Sequence, residues 1–354
     1  MSVALALPTR RVEEWKYSDL ARALGDAGFG EETARASVAA VPAGIEVFAL
    51  DEPNRPDWVK ARYGKLRGNA VSAVSLAKAR GGIALRVPRG QIVEAPLMLD
   101  FSGKGHVRAL LVLEEGAVLT LFERSDAVGT RNAGFEIMLG PNAQLNHVRL
   151  APVSGAVQVE EISMTLARSA VYRGHFANFG AKLSRIELDI ALEGEGAEAH
   201  LSGVSVLSGD SHADVTTHVS HAVGRTQSTQ LFKKVGAGKS QAVYQGKVTV
   251  AHGADGADSR QTAKALLPSP GAEADLKPEL EIFADDVKCA HGAAVGDLDA
   301  DSLFYLRARG IPEKDARHLL IHAFLEDALT DIANADLRET VRGAVNVALD
   351  GVAA

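Results

Sequence analysis

The sequence predicts a mainly β protein built as a β-helix or a related β-solenoid, with a helical region at each end. Three observations carry that prediction. From Ile83 to about Val295 the chain breaks into short runs rich in Val, Ile, Leu and Thr, each bounded by Gly, Asn, Ser or Asp. The turns between them recur at a nearly constant spacing. Proline is scarce within the runs, which suits strands hydrogen-bonded on both sides.

The strand-like runs are, in order, "IALRVP", "ALLVLEE", "VLTLFER", "FEIML", "LNHVRL", "EISMTL", "IELDIAL", "HLSGVSVL" and "GKVTVA". Small-residue turns at Gly116-Ala117, Asn142-Ala143, Ser169-Ala170 and Gly196-Ala197 are 26, 27 and 27 residues apart, and Gly224 extends the series at 28. The unit is therefore strand, turn, strand, connector. A propeller blade would need four strands in ~40–45 residues, and a sandwich requires no fixed period. Each rung of a solenoid buries its inward side chains only when neighbours stack on it. An end rung must be covered, or it becomes an edge that pairs with another chain.

The flanks have a different texture. Residues 1–82 read as a helical region. In "RRVEEWKYSDLARAL", Val12, Trp15 and Leu20 fall at helical spacing. "NAVSAVSLAKARGG" reads as a second helix ending at Gly81-Gly82, where glycine permits a left-handed stop. Between Gly25 and Pro56 no period is evident. Residues 83–297 form the β-helix core, and residues 298–354 a C-terminal helical region. There "DADSLFYLRARG" has an Asp cap and a stop at Gly310, followed by Pro312 at a first-turn position. Ala316, Leu319, Leu320, Ala323, Phe324 and Leu329 make an apolar stripe on the next helix, and Leu337, Val341, Val345 and Ala348 one on the last. Such helices either cap the last rung or dock another protein.

Composition narrows the function. Apolar residues are 46% and charged residues 23% of 354, enough for a substantial core, and the net charge of −7 argues against nucleic acid as a partner. No apolar run reaches the ~20 residues of a membrane span. "MSVALALPTRR" has neither the long apolar stretch nor the cleavage site of a signal peptide. A single cysteine excludes an internal disulfide framework and fits a cytoplasmic setting.

That cysteine, Cys289, lies in "DDVKCAHGA" two residues before His291. On a strand, side chains two apart share a face and their Cα atoms are ~7 Å apart. The pair could reach one metal, or Cys289 could be a small buried hydrophobe with His291 closing the strand. Two donors fall short of the four of a closed zinc site, so any metal role requires ligands from a second subunit. Asp285 and Asp286 are adjacent, so they point to opposite faces and read as turn acids. His200, His212, His218 and His221 show no recognised metal spacing. "GAGKS" at Gly236 to Ser240 lacks the upstream glycine and the strand-to-helix context of a phosphate-binding loop.

Three segments carry a family resemblance: "LEIFADDVKCAHGAAVGDLDADSLFYLRARGIPEKDARHLLIHAFLEDAL" (280–329), "QGKVTVAHGADGADSRQTAKALL" (245–267) and "EEWKYSDL" (13–20). They resemble the SufB/SufD family of iron–sulfur cluster assembly scaffolds. "HGAAVGDLD" is similar to its SufD branch, where SufB sequences tend to read "HEAT". The resemblance implies a right-handed parallel β-helix flanked by helices. It implies a non-catalytic scaffold subunit with two partners, a SufB-like paralogue and a SufC-like ABC ATPase. His291 would sit at the paralogue interface, with Cys289 as its motif neighbour, in a site for iron or a nascent cluster that both chains complete. This chain would hold no cofactor tightly alone, and ATPase activity would belong to the partner. Phe304, Tyr305, Leu306, Arg309, Ile311, Leu319 and Phe324 would lie in the ATPase-docking region. Two other readings compete. A β-helix carbohydrate-active enzyme would show carboxylates converging along one face of several rungs. A metal-free homodimer would use the open β-helix edge.

Overall fold

The repeat folds into two stacked sheets of nine strands each, parallel except for the strand at the starting end of each. The structure, a computed structural model, describes residues 7–30, 32–66 and 68–352. The start of the apolar "MSVALALPTRR" run lies outside them. The first sheet begins with Arg35–Val38 and Leu97–Ser102 and ends with Lys288–Gly296; the second begins with Glu46–Ala49 and Gly82–Val87 and ends with Glu273–Ile282. From Gly82–Val87 onward successive strands alternate between the sheets, giving a β-solenoid of about eight turns with helices at both ends. Along the first sheet the register pairs Val118, Gln144, Val171, Glu198, Gln227, Asp258 and Lys288 in succession. The steps are 26, 27, 27, 29, 31 and 30 residues, so the rungs lengthen toward the C-terminus.

The small-residue turns owe their composition to backbone geometry. Gly116, Asn142, Ser169, Gly196, Arg225 and Gly256 all have positive φ, between 54° and 77°. The next residue's N–H donates back three residues, Ala117 to Glu114, Ala143 to Gly140 and Ala170 to Ala167, the pattern of a type II turn. The first N–H of each pair reaches the adjacent rung, as from Gly116 to Pro141 and from Asn142 to Arg168. Ala117, Ala143, Ala170 and Ala197 are fully buried, where a larger side chain would displace its neighbours above and below. One position is corrected. The left-handed residue of the fifth turn is Arg225, not Gly224. Gly224 is required for close approach instead, because a Cβ there would lie 2.5 Å from the Asp255 carbonyl.

The starting end is closed by strands inside the region expected to be helical. Arg35–Val38 and Glu46–Ala49 pair antiparallel with Leu97–Ser102 and Gly82–Val87, respectively. The single helix expected over "RRVEEWKYSDLARAL" is divided into a 3-10 turn, Glu13–Trp15, and α1, Leu20–Leu24. Asp19 separates them by capping α1, accepting from the Arg22 N–H at 3.0 Å. Trp15 and Leu20 are buried, but Val12 is exposed. After α2 (Asp57–Lys60), α3 (Ala70–Lys78) starts at the Asn69 cap and stops before the glycine pair. Gly82 instead opens a strand, because a Cβ there would lie 2.2 Å from the Arg108 carbonyl oxygen.

The C-terminal helices lie on the side of the solenoid. They are α4 (Ala300–Ala308), α5 (Glu313–Leu329) and α6 (Ala335–Asp350). Ile321, Leu325, Ala328 and Leu329 of α5 and Leu337, Val341, Val345 and Leu349 of α6 pack against Phe122, Val148, Phe179, Val204, Val206 and Val235 on the outer face of the first sheet. The buried stripe of α5 is thus rotated from the expected one: Leu319 and Ala323 are exposed. On α6, Leu349 takes the buried place expected for Ala348. The helix is apolar on more than one side, so periodicity alone leaves the buried face undetermined.

Candidate functional site

The C-terminal end of the solenoid is open. Glu273–Ile282 and Lys288–Gly296 are terminal strands of their sheets, and among the described residues nothing pairs with their outer edges. In Lys288–Gly296 the Lys288 N–H donates to the Ala257 carbonyl and the Gly296 carbonyl accepts from Leu267. The backbone groups of the even-numbered residues therefore face the preceding rung. Those of 289, 291, 293 and 295 face the open edge.

The same strand presents Cys289 and His291 over the lumen. Cys289 is in register with Ser259 and His291 with Gln261. Ser259 and Gln261 are fully buried, so the two side chains share the inward face of the last rung. The strand continues to Gly296, so His291 does not close it. His291 is exposed and Cys289 half-buried, packed against the edge of the main core. Burial pushes the Cys289 thiol above its ordinary value, which keeps it protonated at neutral pH.

Beneath them lies an incomplete polar column. Gln230 Oε1 accepts from Thr217 Oγ1 at 2.6 Å and from the Tyr244 hydroxyl at 3.0 Å. Gln230 Nε2 and, one rung higher, both amide atoms of the Gln261 side chain lack a hydrogen-bond partner. A buried polar group left unpaired costs about 1–3 kcal/mol.

The remaining sequence candidates have structural duties. Asp285 and Asp286 are exposed in the turn between the last two strands, and the Asp286 carbonyl accepts from Gly256 N–H at 2.6 Å. The four clustered histidines point to separate partners: His200 to Thr229 and Glu198, His212 to Ser18, His218 to Asp189 and Thr249, and His221 to Thr226 and Ser228. Among the described residues no three His, Cys, Asp or Glu side chains converge as a metal group. "GAGKS" turns directly from the strand Gln227–Gly236 into the strand Gln241–Val250, with no helix to receive a phosphate.

The docking candidates divide by exposure. Phe304, Tyr305 and Leu319 are 72%, 58% and 53% exposed, and α4 buries none of its residues. Arg309 holds its guanidinium over the Tyr305 ring, 5.2 Å from the ring centroid. Leu306 and Ile311 are half-buried at the α4–α5 junction. Phe324 is engaged within the chain, its ring under the Lys233 ammonium at 4.7 Å and its carbonyl accepting from Lys233 at 2.6 Å.

Sequence reasoning missed a set of acids on neighbouring rungs. Glu136, Glu161 and Glu187 lie on the outer face of the second sheet in neighbouring rungs, beneath the N-terminal region. Glu136 accepts from the Gly64 and Leu66 N–H groups at 2.7 and 3.0 Å, Glu161 from Asn69 N–H at 3.0 Å, and Glu187 from the Asn69 side-chain amide. These carboxylates tether the segment that enters α3. These three carboxylates are therefore engaged within the chain. Glu161 and Glu187 are 26 apart, one rung, and stack in register, which was the available signal; Glu136 lies two residues along its strand from the position beneath Glu161.

The fold and the open rung define a class: a parallel β-solenoid whose last turn is unpaired among the described residues and carries a thiol and an imidazole on its inward face. Residues 101–324 match the family described as SUF system FeS cluster assembly, SufBD core domain. The iron-sulfur cluster assembly protein SufD of Escherichia coli is 29% identical over 382 aligned positions, covering 98% of this chain and 90% of that protein. A SufBD family iron-sulfur cluster assembly protein of Synechocystis is 36% identical, covering 68% of this chain and 56% of its own. The SufD of Bacillus subtilis is 27% identical over 76% of this chain and 64% of its own. The chain belongs to the SufBD family and within it is most like SufD.

Proposed function

We propose that this chain is a non-catalytic scaffold subunit of a cytoplasmic Suf-type iron–sulfur cluster assembly complex. It pairs with a SufB-like paralogue across the open rung, and a SufC-like ATPase docks on α4 and the exposed side of α5. The single observation that carries this reading is the open last rung, with Cys289 and His291 above the unpaired amide of Gln261. A partner strand added to that edge would lie ~4.8 Å beyond it, so its inward side chains would stack directly on His291 and Cys289. Two donors on one strand fit a shared iron or cluster cargo and are too few to hold one alone. No helix among the described residues is long and apolar enough to cross a membrane.

The test is co-expression with the cysteine-bearing paralogue and the ATPase. The three chains should co-purify, and His291→Ala should leave assembly intact while abolishing cluster formation in the reconstituted complex. Normal cluster formation in that variant would remove His291 from the site. Isolated, the same unpaired edge accommodates a second copy of this chain, a reading favoured by the free backbone of residues 289–295.

A further inference from the structure

A cleft of about 350 Å³ lies between the N-terminal segment and one corner of the solenoid, remote in sequence from the open rung. Arg10 and Arg22 line it from the segment, Lys182 and Lys239 from the corner. None of these four cations has an ion-pair partner among the described residues. Two carboxylates also line it, and Asp19 is already committed to capping α1 through Arg22 N–H, leaving Asp210. The lining therefore carries an excess of two positive charges in a chain whose net charge is −7.

Tertiary structure assembles this charge. The corner stacks successive rungs, with Ser184 on Ala213 and His212 on Gln241, which brings Lys182 and Lys239 to one wall. Lys239 comes from "GAGKS", where Gly238 at φ 71° makes the turn. The opposite wall is held by Ser18, whose hydroxyl donates to Asp214 at 2.5 Å and meets His212 Nε2 at 3.0 Å. Like charges gathered without counterions repel, and an anion relieves that repulsion. Guanidinium forks pair bidentately with phosphate oxygens, and lysines add point charges. The volume lies within the ~300–1,000 Å³ of small-molecule sites. Only Ala23 and Leu183 are apolar in the lining, so an uncharged hydrophobic ligand is a poor match.

We propose that this cleft binds a small diphosphate-bearing anion, gripped by Arg10 and Arg22 on one side and by Lys182 and Lys239 on the other. The two sources of that group are free pyrophosphate and a nucleoside diphosphate. Calorimetric titration of the full chain with pyrophosphate, and separately with ADP, tests the assignment. One saturable site is expected, weakened by added salt and at least about tenfold by the double substitution Arg10→Ser/Lys239→Ser. Both residues are exposed, and an unchanged far-UV circular dichroism spectrum confirms that the variant is folded. Equal affinities assign the site to the free diphosphate group, and tighter ADP binding assigns part of it to the nucleoside. No saturable heat with either probe overturns the proposal, as does binding that the double variant leaves unchanged.

Discussion

Removal of the Arg185 charge should detach the N-terminal segment from the solenoid. Arg185 is the central contact between them. Its guanidinium bonds Asp214, Glu187 Oε1 at 2.6 Å and the Glu14 carbonyl at 2.7 Å, and it lies 4.0 Å from the centroid of the Trp15 ring. The side chains of Arg185 and Asp214 are both inaccessible to solvent. Arg185→Met keeps most of the stem but strands the Asp214 carboxylate, which retains only Ser18 and Thr216 as donors. Breaking a buried pair in this way costs about 3–5 kcal/mol, and a desolvated cation–π contact adds up to about 2 kcal/mol. That is a large share of a typical stability of about 5–15 kcal/mol. Urea unfolding measures the global loss, and limited proteolysis within residues 7–30 measures local opening. The double variant Arg185→Met/Asp214→Asn should recover more than half of the loss, because the fully inaccessible carboxylate is then no longer a stranded charge. A single variant within about 1 kcal/mol of the parent, or a double variant no better than the single, would refute the clamp.

Four further outcomes follow from the same geometry. Ala293→Pro removes an N–H that faces the open edge rather than the preceding rung, so the fold should persist while pairing with the paralogue, measured by co-purification, is lost. Leu325→Ala, at a fully buried position under the first sheet, should cost about 2–5 kcal/mol and expose α5 and α6 to protease first. Tyr305→Ala with Leu319→Asp should change stability by less than about 1 kcal/mol, since both residues are exposed, yet weaken capture of the ATPase in pull-downs. Burial, reinforced by Glu187, pushes the Glu161 carboxyl up to about 7 from its ordinary 4.5. Between those values the folded protein keeps a proton that the unfolded chain has released, so this group lowers stability as pH rises, by about 3 kcal/mol in full. Glu161→Gln should therefore gain on the parent from pH 4.5 to 7 in denaturant midpoints, and a constant difference across that range would disprove the shift.

Much of the fold was legible because its repeat is local chemistry. A left-handed turn residue and a buried alanine recur once per rung, and both leave a compositional mark. Strands such as His212–His221 and Gln227–Gly236 were harder to read. Their inward positions include Thr217, Ser228 and Gln230, and a polar lumen erases the alternation that marks a half-buried strand. The N-terminal strands Arg35–Val38 and Glu46–Ala49 are only four residues long, too short to show a period. Of the candidate site, the neighbourhood of Cys289 and His291 on one strand face could be read from their spacing. The unpaired Gln261 beneath them could not, because it lies thirty residues earlier and meets His291 only through rung stacking.

By itself, then, the sequence determined the rung repeat, the turn positions to within a residue, and the family, since each is written in contiguous residues. Tertiary structure alone decided that the C-terminal helices lie along the side of the solenoid and leave its last rung uncovered. It also rotated the buried face of α5, tied Glu136, Glu161 and Glu187 to the N-terminal region, and gathered Arg10, Arg22, Lys182 and Lys239 around one cleft. The physical reason is common to all of these. Stacking and side-face packing join residues tens to hundreds of positions apart, and which of several apolar or charged faces finds a partner depends on the three-dimensional surface opposite it.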